Sequence, residues 1–146
     1  MVNTGIKMTN AGEFLKVYVV DVDKEEMGAQ DMPNTLRDMK RITGANCIEI
    51  GDITVLGQAF KAIYSAKVSG SQHISCVDDK GKAVYRGNII IVAYERDRYG
   101  NEILSSLTDD DIQLLMSNTG LMYIEGKDGG SPYNAYVLCN LKEVKE

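Results

Sequence analysis

Tryptophan is absent from this 146-residue chain, histidine occurs once, proline twice and cysteine three times. Each scarcity excludes something. A single histidine, His73, cannot supply a two-histidine metal site within one chain, and any catalytic triad would rest on it alone. Ser71 and Ser75 lie nearby, but no GxSxG elbow sets a nucleophile, so His73 reads as an ordinary strand-end residue. Cys47, Cys76 and Cys139 are odd in number and lack CxxC spacing. Lying among apolar neighbours in strand-like segments, all three are expected to be reduced, buried thiols. Long apolar runs are missing too. The longest, Ile89–Tyr94, is far short of the roughly 20 residues that span a bilayer. The opening MVNTGIKMTNAGE lacks the order of a signal peptide. A cytoplasmic protein without membrane contact is the expectation.

Positive charge is in deficit. Acids outnumber bases 21 to 16, a formal charge of −5. Repulsion from phosphates argues against general nucleic-acid binding, which draws its affinity from basic clusters. The aromatic content is eight tyrosines against two phenylalanines, and tyrosine, with an apolar body and a wet end, suits interfaces and stacking. An apolar content of 44% and a charged content of 25% are those of an ordinary globular domain. The length fits one domain, residues 1–146, with a sizeable core.

The stretch Tyr85–Glu95 organises what is present. Its consecutive β-branched residues Ile89–Val92 cannot alternate in and out, which predicts a central strand covered on both faces. Phe14–Val22 is a second such strand. A charged connection, Asp23–Asp31, leads to a short helix opened by Pro33, capped by Thr35 three residues before Asp38, carrying Leu36, Met39 and Ile42 inward, and ending at Gly44. Asn46–Ile50 reads as a strand, Gly51-Asp52 as a turn, Ile53–Leu56 as its return, and Gln58–Val68, whose alanines and lysines would also suit a helix, as a strand broken by Ser69-Gly70-Ser71. His73–Val77 and Lys82–Tyr85 form a hairpin about Asp78–Gly81, and Glu102–Ser105 returns from Glu95 through Asp97–Asn101. Thr108 and Asp111 predict a capping box, with Leu107 and Ile112 as a staple. That second helix should run to about Asn118, stop at Gly120 and bury Ile112, Leu115 and Met116. A last hairpin spans Leu121–Leu141, and residues 1–12 read as a loose tail or an early edge strand. The fold class is α+β: a twisted, mainly antiparallel sheet built from hairpins, with two short helices packed on one face.

No catalytic residue, cofactor or metal is expected. Asp21 and Asp23 share a strand end but lack a third ligand, so a solvated end is the simpler reading. Asp109, Asp110 and Asp111 sit where first-turn carboxylates favour helix amides. Gly126–Ser131 lacks the order of a phosphate loop. Arg37, Lys40 and Arg41 form a basic stripe, and Arg96 and Arg98 mark a hairpin tip; Arg37, Arg41, Arg96 and Arg98, with tyrosines to stack, are the candidates for a nucleotide ligand.

The strand KVYVVDVD, the segment NTLRDMKRITG followed by CIEIGDI, and the succession YRGNIIIV and SSLTDDDIQLLM together resemble a family of small proteins carried by phages and mobile elements of Gram-positive bacteria, defined as a domain of unknown function. The chain departs from that pattern between the middle hairpin strands, and the hairpin 121–141 looks like an addition. The resemblance implies no catalytic residues. It implies a setting in which small acidic proteins inhibit host defence. The resulting expectation is a non-catalytic inhibitor of a bacterial defence system, such as a CRISPR nuclease, acting in the host cytoplasm by binding a defence protein directly. Asp78, Asp79, Asp97, Asp109 and Asp110, presented in turns or a helix start with Tyr99 and Tyr133, would meet the cationic groove of the partner. The alternative is a module that sequesters a nucleotide signal. Exposed strand edges and the tyrosine-bearing last hairpin also predict a homodimer.

Overall fold

Strand β8 (Ile89–Arg96) is the element the molecule forms around, and its residues Ile89, Ile90, Ile91 and Val92 are all fully buried. The computed structural model describes residues 6–7, 13–67, 73–124 and 132–141. Within them β8 pairs antiparallel with three strands: β2 (Phe14–Asp21), β5 (Gln58–Ser65) and β9 (Glu102–Ser105). Outside these lie β1 (Ile6–Lys7) parallel to β9, β3 (Glu26–Pro33) antiparallel to β2, and β4 (Ile48–Val55) antiparallel to β5. Seven strands thus make the large sheet.

Alternation along the strands divides the core in two. Ile89 and Ile91 join Tyr18, Val20, Val22, Phe60 and Ala62 on one face, whereas Ile90 and Val92 join Leu15, Val17, Val19, Ile63 and Leu104 on the other. Helix α1 (Leu36–Thr43) covers the second face through Met39, and helix α2 (Asp109–Ser117) covers the first through Leu115. The expectation of two helices on one face is therefore corrected. An apolar run such as Ile89–Val92 loads both faces of its sheet, and each needs its own cover.

The first face is covered also by a second sheet, ordered β10 (Thr119–Ile124), β11 (Tyr133–Asn140), β6 (Ile74–Asp78), β7 (Ala83–Arg86). Its β11–β6 ladder is parallel and the others antiparallel. Cys76 and Leu138 reach from it into the core with Ile89 and Ile91. The sheets join where Leu141 bridges Val55: Leu56 N donates to Leu141 O at 3.0 Å, and Thr54 N to Asn140 Oδ1 at 2.8 Å. The last hairpin is thus knitted into the core, since Leu138 is fully buried.

Other expectations also change. Gly51 and Asp52 lie inside β4, and the turn falls at Leu56-Gly57, where φ values of 50° and 87° make the two-residue loop that matches strand twist. Gly51 serves close approach instead: a Cβ there would stand 2.7 Å from the Tyr85 hydroxyl. The charged connection after Asp21 contains β3, a polar edge strand whose lack of apolar alternation hid it. Tyr85–Glu95 is not one strand, because Gly87 (φ 77°) turns the chain from the small sheet into the large one. Helix α2 ends at Asn118 and Gly120 belongs to β10, while Met116 is 44% exposed. Cys47 is exposed and Cys139 half-buried, so only Cys76 fits the expectation of a fully buried thiol. The strand from Gln58 and both caps stand as expected: Thr35 Oγ1 accepts from Asp38 N, and Thr108 and Asp111 exchange bonds of 2.9 and 3.1 Å. Leu107 and Ile112 meet in one cluster, as a staple does.

Candidate binding surfaces

The acids singled out in the sequence fall on three elements. Asp78 stands at the β6–β7 turn, where its Oδ1 accepts from Lys80 N and Lys82 N at 2.9 Å each. Those bonds, from Lys82 first, hold its carboxyl below the ordinary range. Asp79 beside it is exposed. Asp97 does similar work at the β8–β9 turn, accepting from Tyr99 N at 2.8 Å and Asn101 N at 2.9 Å. Asp109 and Asp110 are exposed in the first turn of α2. Asp78 and Asp97 therefore hold their own turns, and the five acids are divided among the β6–β7 turn, the β8–β9 turn and the start of α2. Tyr99 is 77% exposed at the hairpin tip with the Arg98 guanidinium 5.6 Å from its ring centre. Tyr133 lies elsewhere: its ring stacks on His73 at 3.7 Å, nearly parallel, and its hydroxyl accepts from Ile74 N at 3.1 Å. That pair ties the start of β11 to the start of β6.

The arginines split likewise. Arg37 and Arg41 project from α1, with Lys40 between them, around an open groove of about 580 Å³ lined also by Leu36, Ala45 and Asn46. The local sequence explains this face. The Thr35 cap and the left-handed Gly44 fix both helix ends, and Met39 and Thr43 point inward, which leaves Arg37 and Arg41 outward. Arg41 is paired with Asp38 at 3.1 Å, whose carboxyl is held low by the Thr35 hydroxyl and then by Arg41. Arg37 and Lys40 have no ion pair among the described residues, and a net of two cations remains on the face. Arg96 is already committed, to Glu102 and to Gly100 O at 3.3 Å each, and Arg98 to Tyr99.

One cluster had no counterpart in the sequence reading. Lys61 of β5 is 7% exposed, and its Nζ lies 2.6 Å from Asp52 Oδ1, 2.9 Å from Glu102 Oε2 and 4.7 Å above the Tyr94 ring. Burial lowers the Lys61 pKa, but the two carboxylates outweigh it and the net direction is upward, so the amine is held charged. The available signal was register: Lys61 stands directly across from Asp52 in the antiparallel β4–β5 pair. On the other face of that pair Tyr64 and Tyr85 meet at 4.8 Å over Gly51, with Tyr85 Oη donating to Asp52 O at 2.9 Å. Burial pushes the Tyr85 hydroxyl and the Cys76 thiol each up to about 12.

Asp21 and Asp23 are likewise accounted for by a turn, Asp21 Oδ1 accepting from Asp23 N at 3.0 Å and Lys24 N at 2.9 Å. Among the described residues no three His, Cys, Asp or Glu side chains group as metal ligands would, and no helix is long and apolar enough to cross a membrane. The glycine-rich segment 126–131 lies outside the described residues, as do residues 1–5 and 8–12 of the tail. No family model matches the chain, and no match is found among the curated proteins or the solved structures.

Proposed function

We propose that this protein is a non-catalytic inhibitor of a bacterial defence system, of the kind a CRISPR nuclease represents, and that it works in the host cytoplasm by binding a defence protein directly. The observation that carries the reading is the outer face of α1. Arg37, Lys40 and Arg41 are displayed around an open groove on a protein whose net charge is −5, and two of these cations have no ion pair among the described residues. A groove this open cannot enclose most of a small ligand, as ligand sites do, but it can receive an acidic segment of a protein surface. The titratable groups support binding over catalysis. Lys61 is held in its charged, non-nucleophilic form by two carboxylates, and Cys76 and Tyr85 are pushed away from their reactive forms. Sequence resemblance to a phage and mobile-element family supplies the setting. Asp79, Asp109, Asp110 and Tyr99 are exposed for secondary contacts with the same partner.

A plaque assay tests this. Hosts carrying defined defence systems, expressing the chain, should lose protection against phage, and the triple variant Arg37→Glu, Lys40→Glu, Arg41→Glu should restore it while remaining folded. Full protection in every such host would sink the proposal.

The second reading, sequestration of a nucleotide signal, is favoured by the same Arg37 and Lys40, whose charges fit phosphate oxygens. Thermal shift against a nucleotide panel separates the two. A ligand at 1,000 times its dissociation constant stabilises the fold by about 4 kcal/mol.

A further inference from the structure

Among the edge strands whose side chains are described, all but one carry charge. Strand β3 has Glu26 and Asp31, β4 has Glu49 and Asp52, and β7 has Arg86, each of which discourages a second strand from docking. The edge strand β10 has none, and no charged residue lies anywhere between Asp111 and Glu125. Its Leu121, Met122 and Tyr123 are exposed by 60%, 38% and 64%.

We propose that β10 pairs with β10 of a second copy of this chain, antiparallel, with the two-fold axis at Leu121. The occupant follows from charge and register. Two copies of charge −5 repel over most of their surfaces, and a neutral edge is where they approach at least electrostatic cost. Cys139 N donates to Asn118 O at 3.0 Å, and the β10–β11 register is unbroken from Thr119↔Leu138 to Ile124↔Tyr133. The inward-bonding residues are therefore Gly120, Met122 and Ile124, and the outward N–H and C=O groups belong to Thr119, Leu121 and Tyr123. About a two-fold at Leu121 these groups close pairs Leu121 with Leu121 and Thr119 with Tyr123. On the opposite face each Met122 lies across from Gly120 of the other copy. Space is open there, since a Cβ at Gly120 would meet nothing within 4 Å. The edge is thus complementary to itself, as an isologous contact requires. The four-stranded small sheet becomes a continuous eight-stranded one, and the basic face of α1 is left free.

Light scattering on the purified chain should give twice 16.1 kDa. In a Cys47→Ser background, Leu121→Cys should form a disulfide-linked dimer on mild oxidation, because Cα atoms of a hydrogen-bonded antiparallel pair lie about 5.5 Å apart, within disulfide reach. Tyr123→Cys, displaced from the axis, should not. Leu121→Lys should shift the wild-type protein to monomer with an unchanged circular dichroism spectrum. A monomer at the highest soluble concentration, or equal cross-linking by Tyr123→Cys, would overturn the proposal.

Discussion

Strands β8 and β10 are both short, apolar and regular, yet all four residues in the first half of β8 are buried, whereas four of the six residues of β10 are exposed and none is buried. Their neighbours account for the difference. Strand β8 has β2 on one side, β5 on the other, and a helix-covered core on each face, so its apolar residues serve stability alone. Strand β10 has β11 on one side and nothing among the described residues on the other. Apolar content in a strand therefore has two meanings here, and the number of hydrogen-bonded neighbours decides between them.

The contrast can be broken by making one change in both places. Ile90→Asp buries a carboxylate against Val17, Val19 and Ile63, and no folded protein should be recoverable by circular dichroism. High pH probes the same buried core more gently. Cys76 and Tyr85 have folded pKa values raised by burial to about 12 from 9.0 and 10.0. A group raised in this way contributes stability that is complete below its unfolded value and lost as pH climbs through the folded one. Denaturation midpoints should therefore hold steady at neutral pH and fall between about pH 9 and 12, less steeply in Cys76→Ala. Lys61→Met removes two charge-assisted hydrogen bonds and should cost about 1.5 to 3 kcal/mol by urea titration. Thr108→Ala opens the capping box of α2 and should cost about 0.5 to 2 kcal/mol without changing the fold. Leu121→Asp, the counterpart of Ile90→Asp, should leave the unfolding free energy within about 0.5 kcal/mol of wild type when both are titrated with urea at concentrations low enough to keep wild type monomeric. A large loss there would mean that β10 is held by the core as β8 is.

What could be read from the sequence was what local chemistry determines. The caps at Thr35 and Thr108, the glycine stop at Gly44, the turns at Asp78–Gly81 and Asp97–Asn101, and the buried run Ile89–Val92 are each specified by residues within a few positions of one another. What escaped was what distant partners determine. Strand β3 is polar because it is an edge, and no periodic signal marks it. Gly51 resembles a turn residue, and only the arrival of Tyr85 from another sheet shows why a side chain is missing there. The parallel pairing of Cys76 with Leu138 depends on a register that no local pattern encodes. The candidate surface followed the same rule. The basic stripe of α1 was legible because helical spacing puts Arg37, Lys40 and Arg41 together, whereas the five acids, chosen one turn at a time, carried no information about their mutual placement.

The pairing of β6 with β11 also sets an order in time. On a ribosome adding about 5 to 20 residues per second, the partner of Cys76 emerges roughly 3 to 12 s after it, with β8, β9 and α2 made in between. Once β8 is made it can assemble with β2 and β5, but the face carrying Ile53, Val55 and Phe60 waits for Leu138 to cover it. The nascent chain therefore leaves that apolar face uncovered until β11 arrives, and the β11–β6 ladder of the small sheet forms only then.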